Sequence, residues 1–523
     1  MLKTLQLKDI FVGKTDAKNE FVGVNDDIKN KFIDSYLIPE NIIIDDFHEG
    51  KKFIVTGLKG TGKTALLRYL EVSFQKKMHS SSFILFKSDF SDEDKAAFSK
   101  AAATTSISEK NDSTEFNEDF ENVWEWFLHK HVVRISKDHA FAFFEKDKNW
   151  EKYCKCVTAP KLGNEESGIT KLFPKVRRGN VEIEGDLDII KGKLGIEFDW
   201  ENEESKLVKF SSIVRQANEL YKKLKPTSKK LYIFIDELEL TLGKSKQYIK
   251  DVKLIRDLIV AIGNLNILSR DLNYNIYFIT AVRSEVLTSI QSTGKEINKP
   301  IIDFGINLKW QQSGGDIKSH PLLRIINKKI QSAEKAHSIS PLSNDEEVWD
   351  RYFPLKINNI STQEYILHRT WYRPRDIVRL LTIAQQQYPS DTTFTHAIFD
   401  AIVKEYSTQS WAEHAEELRT IFSEKEIDGI KKILTSLRCP FNFPDFKDVC
   451  EKKRELYSDV ESLLTNHKPA DILHILYRVG IIGNTGAKVR YSFRGDDELV
   501  LDNSMKVHDP LWNYLSIEFR VPR

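Results

Sequence analysis

Cysteine is scarce in this chain, with four residues in 523, so a framework of disulfide bonds is not expected. Cys154 and Cys156 lie close together, but no second pair of ligands is near them, which argues against a zinc site. Long hydrophobic runs are also missing: no stretch of about 18 apolar residues occurs, and charges interrupt the leucines near the N-terminus. We therefore expect no membrane-spanning helix, no signal peptide, and a reduced, cytoplasmic setting.

An excess of either charge is missing as well. The 78 Lys and Arg residues nearly balance the 77 Asp and Glu residues, which gives a formal net charge of +1. No overall field therefore draws the chain to nucleic acid or to a membrane surface, and such contacts would need a local patch. The length is sufficient for two to four domains, each with its own core.

The most specific pattern is Gly-Leu-Lys-Gly-Thr-Gly-Lys-Thr at positions 57–64, which follows an apolar run and leads into a helical pattern. This strand, loop and helix order is that of a phosphate-binding P-loop. The glycines let backbone N–H groups surround a β-phosphate, Lys63 reaches the β and γ oxygens, and the Thr64 hydroxyl ligates Mg²⁺. We expect the nucleotide to be bound by Gly57, Leu58, Lys59, Gly60, Thr61, Gly62, Lys63, Thr64 and Ala65.

A second half of the same site is predicted far downstream, where the unbroken apolar residues 231–235 end in Asp236 and Glu237. A strand without alternation is buried on both faces, as in a parallel sheet covered by helices. Asp236 is expected to hold Mg²⁺ through water, and Glu237 to orient and deprotonate the attacking water. The alternative is that Glu237 and Glu239 form the polar start of a helix.

Three arginines are candidates for sensing the nucleotide. Arg283 comes shortly after the apolar residues 276–280. At the end of such a strand a cation can stabilise charge on the γ-phosphate. The alternative is that Arg283 pairs with a neighbouring acid. Arg373, Pro374 and Arg375 open a predicted helix, with proline in the favourable first turn. We expect these arginines to swing toward the nucleotide from a helical lid, the alternative being an ordinary exposed helix start.

Together with the segment at residues 13–20, these motifs resemble the bacterial P-loop ATPases of the STAND and AAA+ branches, most of all uncharacterised ATPases found among phage-defence genes. The resemblance implies that Gly13 contacts the base, that the strand-end arginine is a sensor, and that a winged-helix domain follows the lid. The cofactors expected are ATP and Mg²⁺. ATP is favoured over GTP because the guanine-reading pattern Asn-Lys-x-Asp does not occur.

We predict an α/β fold: a P-loop NTPase core with a parallel sheet and helices on both faces, followed by an α-helical lid and a C-terminal winged-helix-like domain. Residues 1–50 are expected to pack on the nucleotide site. Residues 51–315 form the predicted ATPase core, with a β-hairpin insertion near 160–202. The lid is placed at 316–435 and the winged-helix-like domain at 436–523.

The C-terminal region shows a helical pattern at 469–478 and strand-like segments near 489–493 and 499–501. A helix followed by a two-stranded wing can read DNA. Acidic residues crowd this wing between positions 496 and 502, and they repel phosphates. A regulatory or protein-contact role is therefore favoured over DNA binding.

The sequence thus predicts an ATP-hydrolysing switch, with Lys63, Glu237 and Arg283 as catalytic residues. No second catalytic centre is evident, so a separate protein effector is the expected partner in a bacterial defence system. Assembly into a homo-oligomer is left open. The alternatives are an initiator-like ATPase that remodels DNA through the winged helix, and a nucleotide-bound scaffold with negligible turnover.

Overall fold

The computed structural model describes the chain apart from residues 1–3, 22–24, 90–119, 139–141, 161–175, 178–179, 184–199, 203–205, 239–244, 292–296, 312–316, 340–342, 420, 487, 497 and 520–523. Glu239 and most of the predicted hairpin insertion lie outside the described residues. The chain divides into two compact units. The first comprises Met1–Pro39, Lys59–Ala65 and Lys309–Arg523, and the second comprises Glu40–Leu58 and Leu66–Leu308.

The secondary-structure elements alternate between strands and helices before residue 310 and are mainly helical after it. The strands are β1 Ile54–Gly57, β2 Ser80–Leu85, β3 Val176–Arg177, β4 Asn180–Glu182, β5 Trp200–Asn202, β6 Leu207–Lys209, β7 Leu231–Leu238, β8 Ile276–Arg283, β9 Gly305–Asn307, β10 Lys356–Ile357, β11 Ile360–Ser361, β12 Arg438–Cys439, β13 Ile482–Asn484, β14 Met505–Val507 and β15 Glu518–Phe519. The helices are α1 Asp26–Ser35, α2 Ile44–His48, α3 Lys63–Lys76, α4 Phe86–Asp89, α5 Glu121–Asp138, α6 Lys148–Thr158, α7 Phe210–Tyr221, α8 Ser245–Asp271, α9 Ser284–Gln291, α10 Asn298–Phe304, α11 Pro321–Ala336, α12 Asp345–Tyr352, α13 Thr362–His368, α14 Pro374–Gln387, α15 His396–Leu418, α16 Glu424–Leu434, α17 Phe443–Arg454, α18 Ser458–Asn466, α19 Pro469–Arg478 and α20 Trp512–Leu515.

The second unit is built on a parallel sheet of five strands in the order β2, β7, β8, β1, β9. Residues 231–236 of β7 are all buried, so both faces of the sheet are covered. Strand β8 lies between the P-loop strand β1 and the acid strand β7. Because the strands are parallel, their carboxyl ends share one edge of the sheet, where ligands bind in such folds. The predicted α/β class is confirmed.

A smaller antiparallel sheet lies within the second unit, in the order β3, β4, β6, β5. Strand β4 pairs with both β3 and β6, and β5 pairs with β6. The described part of the predicted insertion therefore joins a sheet of four strands rather than forming an isolated hairpin. Helix α8 packs against β8 and α5, and α6 packs against α7.

The first unit contains two helical cores. One is formed by α11 to α15 together with the N-terminal segment, whose buried residues are Leu5, Leu7, Ile10 and Val12. The side chain of Gln385 on α14 donates hydrogen bonds to the carbonyl oxygens of Leu7 and Ile10. Residues 5–12 thus form part of the hydrophobic core of this unit.

The other core contains α16 to α20 and short strands near the C-terminus. Strand β13 pairs with β14, and Phe441 bridges to Met505 on the other side of β14. These strands do not coincide with the predicted segments: Ser492–Arg494 is a 3-10 helix, and residues 499–501 are not in a strand. Arg490 forms an isolated antiparallel bridge with Asn484 of β13. Tyr491, Phe493 and Leu499 are buried, so the hydrophobic pattern of these segments reflects core packing more than strand pairing.

Within the described residues, no helix is both long enough and apolar enough to cross a lipid bilayer.

Candidate nucleotide-binding site

The P-loop connects β1 to α3 and needs glycine at two of its positions. Gly60 and Gly62 have φ values of +80° and +93°, in the left-handed region that side chains disfavour. A β-carbon on Gly60 would also lie 3.2 Å from Cδ of Arg373. The indole N–H of Trp310 donates to the carbonyl oxygen of Thr61 at 2.8 Å. Backbone conformation thus explains both glycines, and crowding adds to it at Gly60.

Lys63 is the first residue of α3, so the loop ends at a helix N-terminus, whose free N–H groups and dipole favour an anion. Thr64 follows it in the first helical turn, and Ala65 comes next. Gly57 ends β1, and Leu58 follows it as an exposed residue. The local structure of the loop is therefore the one that its sequence predicts.

The Arg-Pro-Arg segment lies directly on the P-loop within the first unit. Arg373 caps α14, and Pro374 occupies its first turn, as the sequence predicts. The backbone N–H of Arg375 donates to the carbonyl oxygen of Gly60 at 3.4 Å, and a β-carbon on Gly62 would lie 3.9 Å from Pro374. The structure brings together two motifs that are more than three hundred residues apart in the sequence.

Glutamates of α15 pair with the cations of these two motifs. Lys59 contacts Glu416 at 2.9 Å, and Arg373 contacts Glu417 at 2.8 Å. Glu413 accepts a hydrogen bond from Arg375 at 2.7 Å and also contacts Arg379. Sequence reasoning missed these glutamates. Their spacing, at 413, 416 and 417, places them on one face of a helix, but nothing in that spacing identifies their partners.

His414 lies among these charges and is buried. Burial lowers its pKa well below the usual range, and the cations Arg373, Arg379 and Lys59 lower it further. The imidazole is therefore neutral at physiological pH and adds no charge to the cluster. Asp376, on the first turn of α14, is also buried; burial raises its pKa, and Arg379 and Arg373 oppose that shift.

The two predicted carboxylates lie near the end of β7, before its last residue Leu238. Asp236 is buried, and Glu237 follows it with a φ of +60°. The register between β7 and β8 shifts at this point, between Ile235 and Leu238. A left-handed conformation costs a non-glycine residue about 1–3 kcal/mol, and such strain is concentrated at functional sites.

Ser88 on α4 holds the Glu237 carboxylate with two hydrogen bonds. Its backbone N–H donates to Oε2 at 3.0 Å, and its hydroxyl donates to the same oxygen at 2.6 Å. These bonds fix the direction of the carboxylate that is predicted to act as the base. Sequence reasoning missed Ser88 because no pattern around it marks a residue that meets an acid 149 positions away.

Arg283 ends β8 and lies opposite Gly57 in the register with β1. Its side chain is half-buried. Thr280, three residues earlier, is fully buried, and its hydroxyl donates to the carbonyl oxygen of Ile235 at 3.1 Å. The structure thus places Arg283 at the carboxyl edge of the sheet and uses Thr280 to hold two strands together.

Gly13 has a φ of +91°, and a β-carbon there would lie 2.5 Å from the Glu20 carboxylate and 3.7 Å from the Lys329 ammonium. That carboxylate also accepts a hydrogen bond from the backbone N–H of Lys14. Burial raises the pKa of Glu20 and lowers the pKa of Lys329 to about 8. The need for glycine at position 13 is therefore structural, whereas its contact with a base stays a prediction.

Two family profiles match parts of the chain. Residues 23–249 match a family described as ORC-CDC6-like, and residues 320–413 match one described as a FunZ-associated C-terminal helical domain. The first match contains both the P-loop and the acid strand. It supports a P-loop nucleotide-binding ATPase of the AAA+ type.

Among curated proteins, none is similar enough in sequence to count as a match. Among solved structures, the crystal structure of Cdc6p from Pyrobaculum aerophilum aligns with 94% of this chain and 96% of its own, at 13% identity and a TM-score of 0.33. The family match and the local structure of the P-loop together indicate that ATP is the first nucleotide whose binding should be measured.

Proposed function

We propose that this chain is a Mg²⁺-dependent ATPase that acts as a molecular switch. The observation that carries the proposal is the P-loop, in which Gly60 and Gly62 have left-handed conformations and Lys63 opens helix α3. The ORC-CDC6-like match over the same region supports it. Gly57, Leu58, Lys59, Gly60, Thr61, Gly62, Lys63, Thr64 and Ala65 would bind the phosphates, largely through backbone N–H groups.

The residues at the sheet edge would supply the chemistry of hydrolysis. Mg²⁺ would be held by the Thr64 hydroxyl and, through water, by Asp236; both are the hard oxygen donors that this ion prefers. Bound Mg²⁺ would neutralise charge on the β and γ phosphates. Glu237, directed by Ser88, would take a proton from the attacking water.

The arginines would report the state of the nucleotide. Arg283 lies at the carboxyl edge of the sheet, where it can stabilise charge that develops on the γ-phosphate. The contact of the Arg373, Pro374 and Arg375 turn with Gly60 supports a role of the helical lid in sensing the bound nucleotide. Gly13 is proposed to contact the base.

The wider role follows from the resemblance described above. We place residues 1–50 next to the nucleotide, the ATPase core at 51–315, the lid at 316–435 and a winged-helix-like domain at 436–523. The proposal is a cytoplasmic sensor ATPase of a bacterial defence system that acts on a separate protein effector, and assembly into a homo-oligomer is left open. The helices α16, α17 and α19 with the paired strands β13 and β14 support the winged-helix assignment.

The same region supports a second candidate function, an initiator-like ATPase that binds DNA. Helix α19 exposes His474 and Arg478, and it is followed by the β13 and β14 pair. Asp471, exposed on the same helix, and Asp496 near the strands weaken this alternative because carboxylates repel phosphates.

A comparison of ATP binding and hydrolysis, with and without duplex DNA, tests these functions. The switch ATPase is expected to bind and hydrolyse ATP with Mg²⁺, and DNA should leave the rate unchanged. A rate that rises with DNA, and a binding affinity for DNA that falls steeply with salt, would support the initiator-like function. Binding without turnover would indicate a static nucleotide-bound scaffold.

A further inference from the structure

Glu413 binds two arginines, one on each oxygen of its carboxylate. Oε1 accepts from Nη1 of Arg375 at 2.7 Å, and Oε2 contacts Nη2 of Arg379. Arg379 is buried and also contacts Asp376 at 3.2 Å, whereas the Arg375 side chain is 25% exposed. When Arg375 leaves, Glu413 therefore keeps a cationic partner in Arg379, which it shares with Asp376.

The neighbouring ion pair, between Arg373 and Glu417, has no second arginine on its carboxylate among the contacts of the described residues. Arg373 and Glu417 meet at 2.8 Å, and their side chains are only 7% and 11% exposed. Removing an arginine from a buried carboxylate leaves an uncompensated charge, which is costly. Arg373 is therefore suited to anchor the start of α14, and Arg375 is the arginine that can leave its partner.

Arg375 lies next to the P-loop, so a second partner for its guanidinium would be close by. Its backbone N–H donates to the carbonyl oxygen of Gly60, so its side chain starts at the loop proposed to bind phosphate. Carboxylates and phosphates both bind a guanidinium through paired hydrogen bonds, so they compete for it. Near Gly60, ATP and ADP differ in that ATP alone offers the charge and the oxygens of a γ-phosphate to this guanidinium.

We propose that Glu413 is a holding site for Arg375, from which the γ-phosphate of ATP takes the guanidinium while Arg379 stays on Glu413. This inference rests on the proposed ATP binding and adds its regulation. Arg375 senses the γ-phosphate, Arg373 anchors the helix, and Glu413 sets how strongly ATP is preferred over ADP. A ligand shifts a conformational equilibrium only through contacts that differ between the states. Here the differing contact is the one that Arg375 makes, with the Glu413 carboxylate in one state and with the γ-phosphate of ATP in the other.

The test is a double-mutant cycle on the full-length protein, read out as dissociation constants for ATP and ADP in the presence of Mg²⁺. Glu413→Gln keeps an oxygen for Arg379 but removes the charge that holds Arg375. It should tighten ATP binding by roughly threefold to tenfold, with little effect on ADP. With Arg375→Ala, ATP should lose its advantage over ADP, and adding Glu413→Gln to that variant should leave ATP affinity unchanged.

Other outcomes would overturn the inference. If Glu413→Gln weakens ATP binding, or changes it equally with and without Arg375, then Glu413 is a structural residue and not a competitor. The control is Glu405→Gln, two turns earlier on α15, where the carboxylate is bound by Gln387 and Gln409 instead of an arginine. This control should leave both nucleotide affinities unchanged.

A second variant covers the case in which Glu413→Gln does not fold. Glu413→Asp keeps the charge beside Arg379 but shortens the arm by one methylene, so the contact with Arg375 should weaken and the preference for ATP should rise. An unchanged preference contradicts the inference. Failure of the proposed function has a different signature: wild-type protein would bind no ATP, or would bind it independently of Lys63.

Discussion

At the scale of single residues, Lys63 carries the simplest test of nucleotide binding. Its ammonium is the main cationic contact proposed for the β and γ oxygens, so Lys63→Ala should weaken ATP binding about 100-fold or more. The fold should survive, because the side chain lies at the first residue of α3 and not in a hydrophobic core. Calorimetric titration with ATP measures the affinity, and circular dichroism measures the fold.

The matched control is Lys76→Ala, at the exposed end of the same helix, which should bind ATP as the wild type does. A Lys63→Ala protein with wild-type affinity would remove the basis for the P-loop assignment.

Glu237 is the residue that separates binding from hydrolysis. Glu237→Gln preserves the shape of the side chain, and its amide oxygen can still accept from Ser88, but it cannot take a proton from water. We expect hydrolysis to slow by about 100-fold or more while the affinity for ATP and Mg²⁺ is retained. Asp236→Ala should instead weaken the Mg²⁺-dependent part of binding. Single-turnover hydrolysis measures the first effect, and wild-type turnover by Glu237→Gln would exclude the general-base role.

At the scale of secondary-structure elements, α14 and α15 are joined by buried ion pairs. Glu417→Gln removes the charge that faces the buried guanidinium of Arg373, so the first unit should lose about 2–4 kcal/mol of stability. Urea unfolding measures this loss. The same Glu405→Gln variant serves as the control, since its carboxylate accepts hydrogen bonds from the amides of Gln387 and Gln409. Equal stability of the two variants would show that the Arg373 pair does not anchor α14.

Two buried histidines of the first unit predict how stability changes with pH. Burial lowers the pKa of His414 and His508 well below the usual range, and Arg373 and Arg494 respectively add to the effect. In the unfolded chain both would titrate near the ordinary value of about 6.5. Their contribution is therefore fully present above that pH and is lost below it, because only the unfolded state takes up the protons.

The expected loss is about 1.4 kcal/mol per pH unit for each histidine once the pH falls below about 6.5. His508→Asn removes one titrating group, so stability measured by urea unfolding between pH 7 and pH 5.5 should fall less steeply than in the wild type. His474→Asn, at an exposed position on α19, should keep the wild-type slope. An unchanged slope in His508→Asn would mean that the buried imidazole takes up a proton in the folded state.

At the scale of the whole molecule, the proposed switch predicts that the nucleotide changes protease accessibility. Limited proteolysis with a non-hydrolysable ATP analogue and with ADP should give different cleavage patterns for the wild type, since the γ-phosphate is the difference between the two ligands. Arg375→Ala should give the ADP pattern with both nucleotides. Identical patterns in the wild type would indicate a static nucleotide-bound protein.

The C-terminal region illustrates where a sequence pattern misleads. Residues 489–493 alternate in hydrophobicity and residues 499–501 are all apolar, but the paired strands lie at Ile482–Asn484 and Met505–Val507. Tyr491, Phe493 and Leu499 are buried in the core, and residues 489–493 contribute one isolated bridge, between Arg490 and Asn484, instead of a strand. A hydrophobic pattern reports which side chains are buried, and strand pairing depends also on a partner that the local pattern does not contain.

The sequence by itself determined the elements whose chemistry is local. The P-loop glycines, the apolar strand that ends in Asp236 and the proline-led opening of α14 are each specified by neighbouring residues, through backbone conformation, burial and helix-start geometry. Tertiary structure alone decided the partners: Ser88 on Glu237, and Glu413, Glu416 and Glu417 on the cations of the two loops. These pairs join residues that are from 38 to 357 positions apart. Ion pairs and hydrogen bonds depend on distance in space, and at such separations in sequence that distance is set only when the chain has folded.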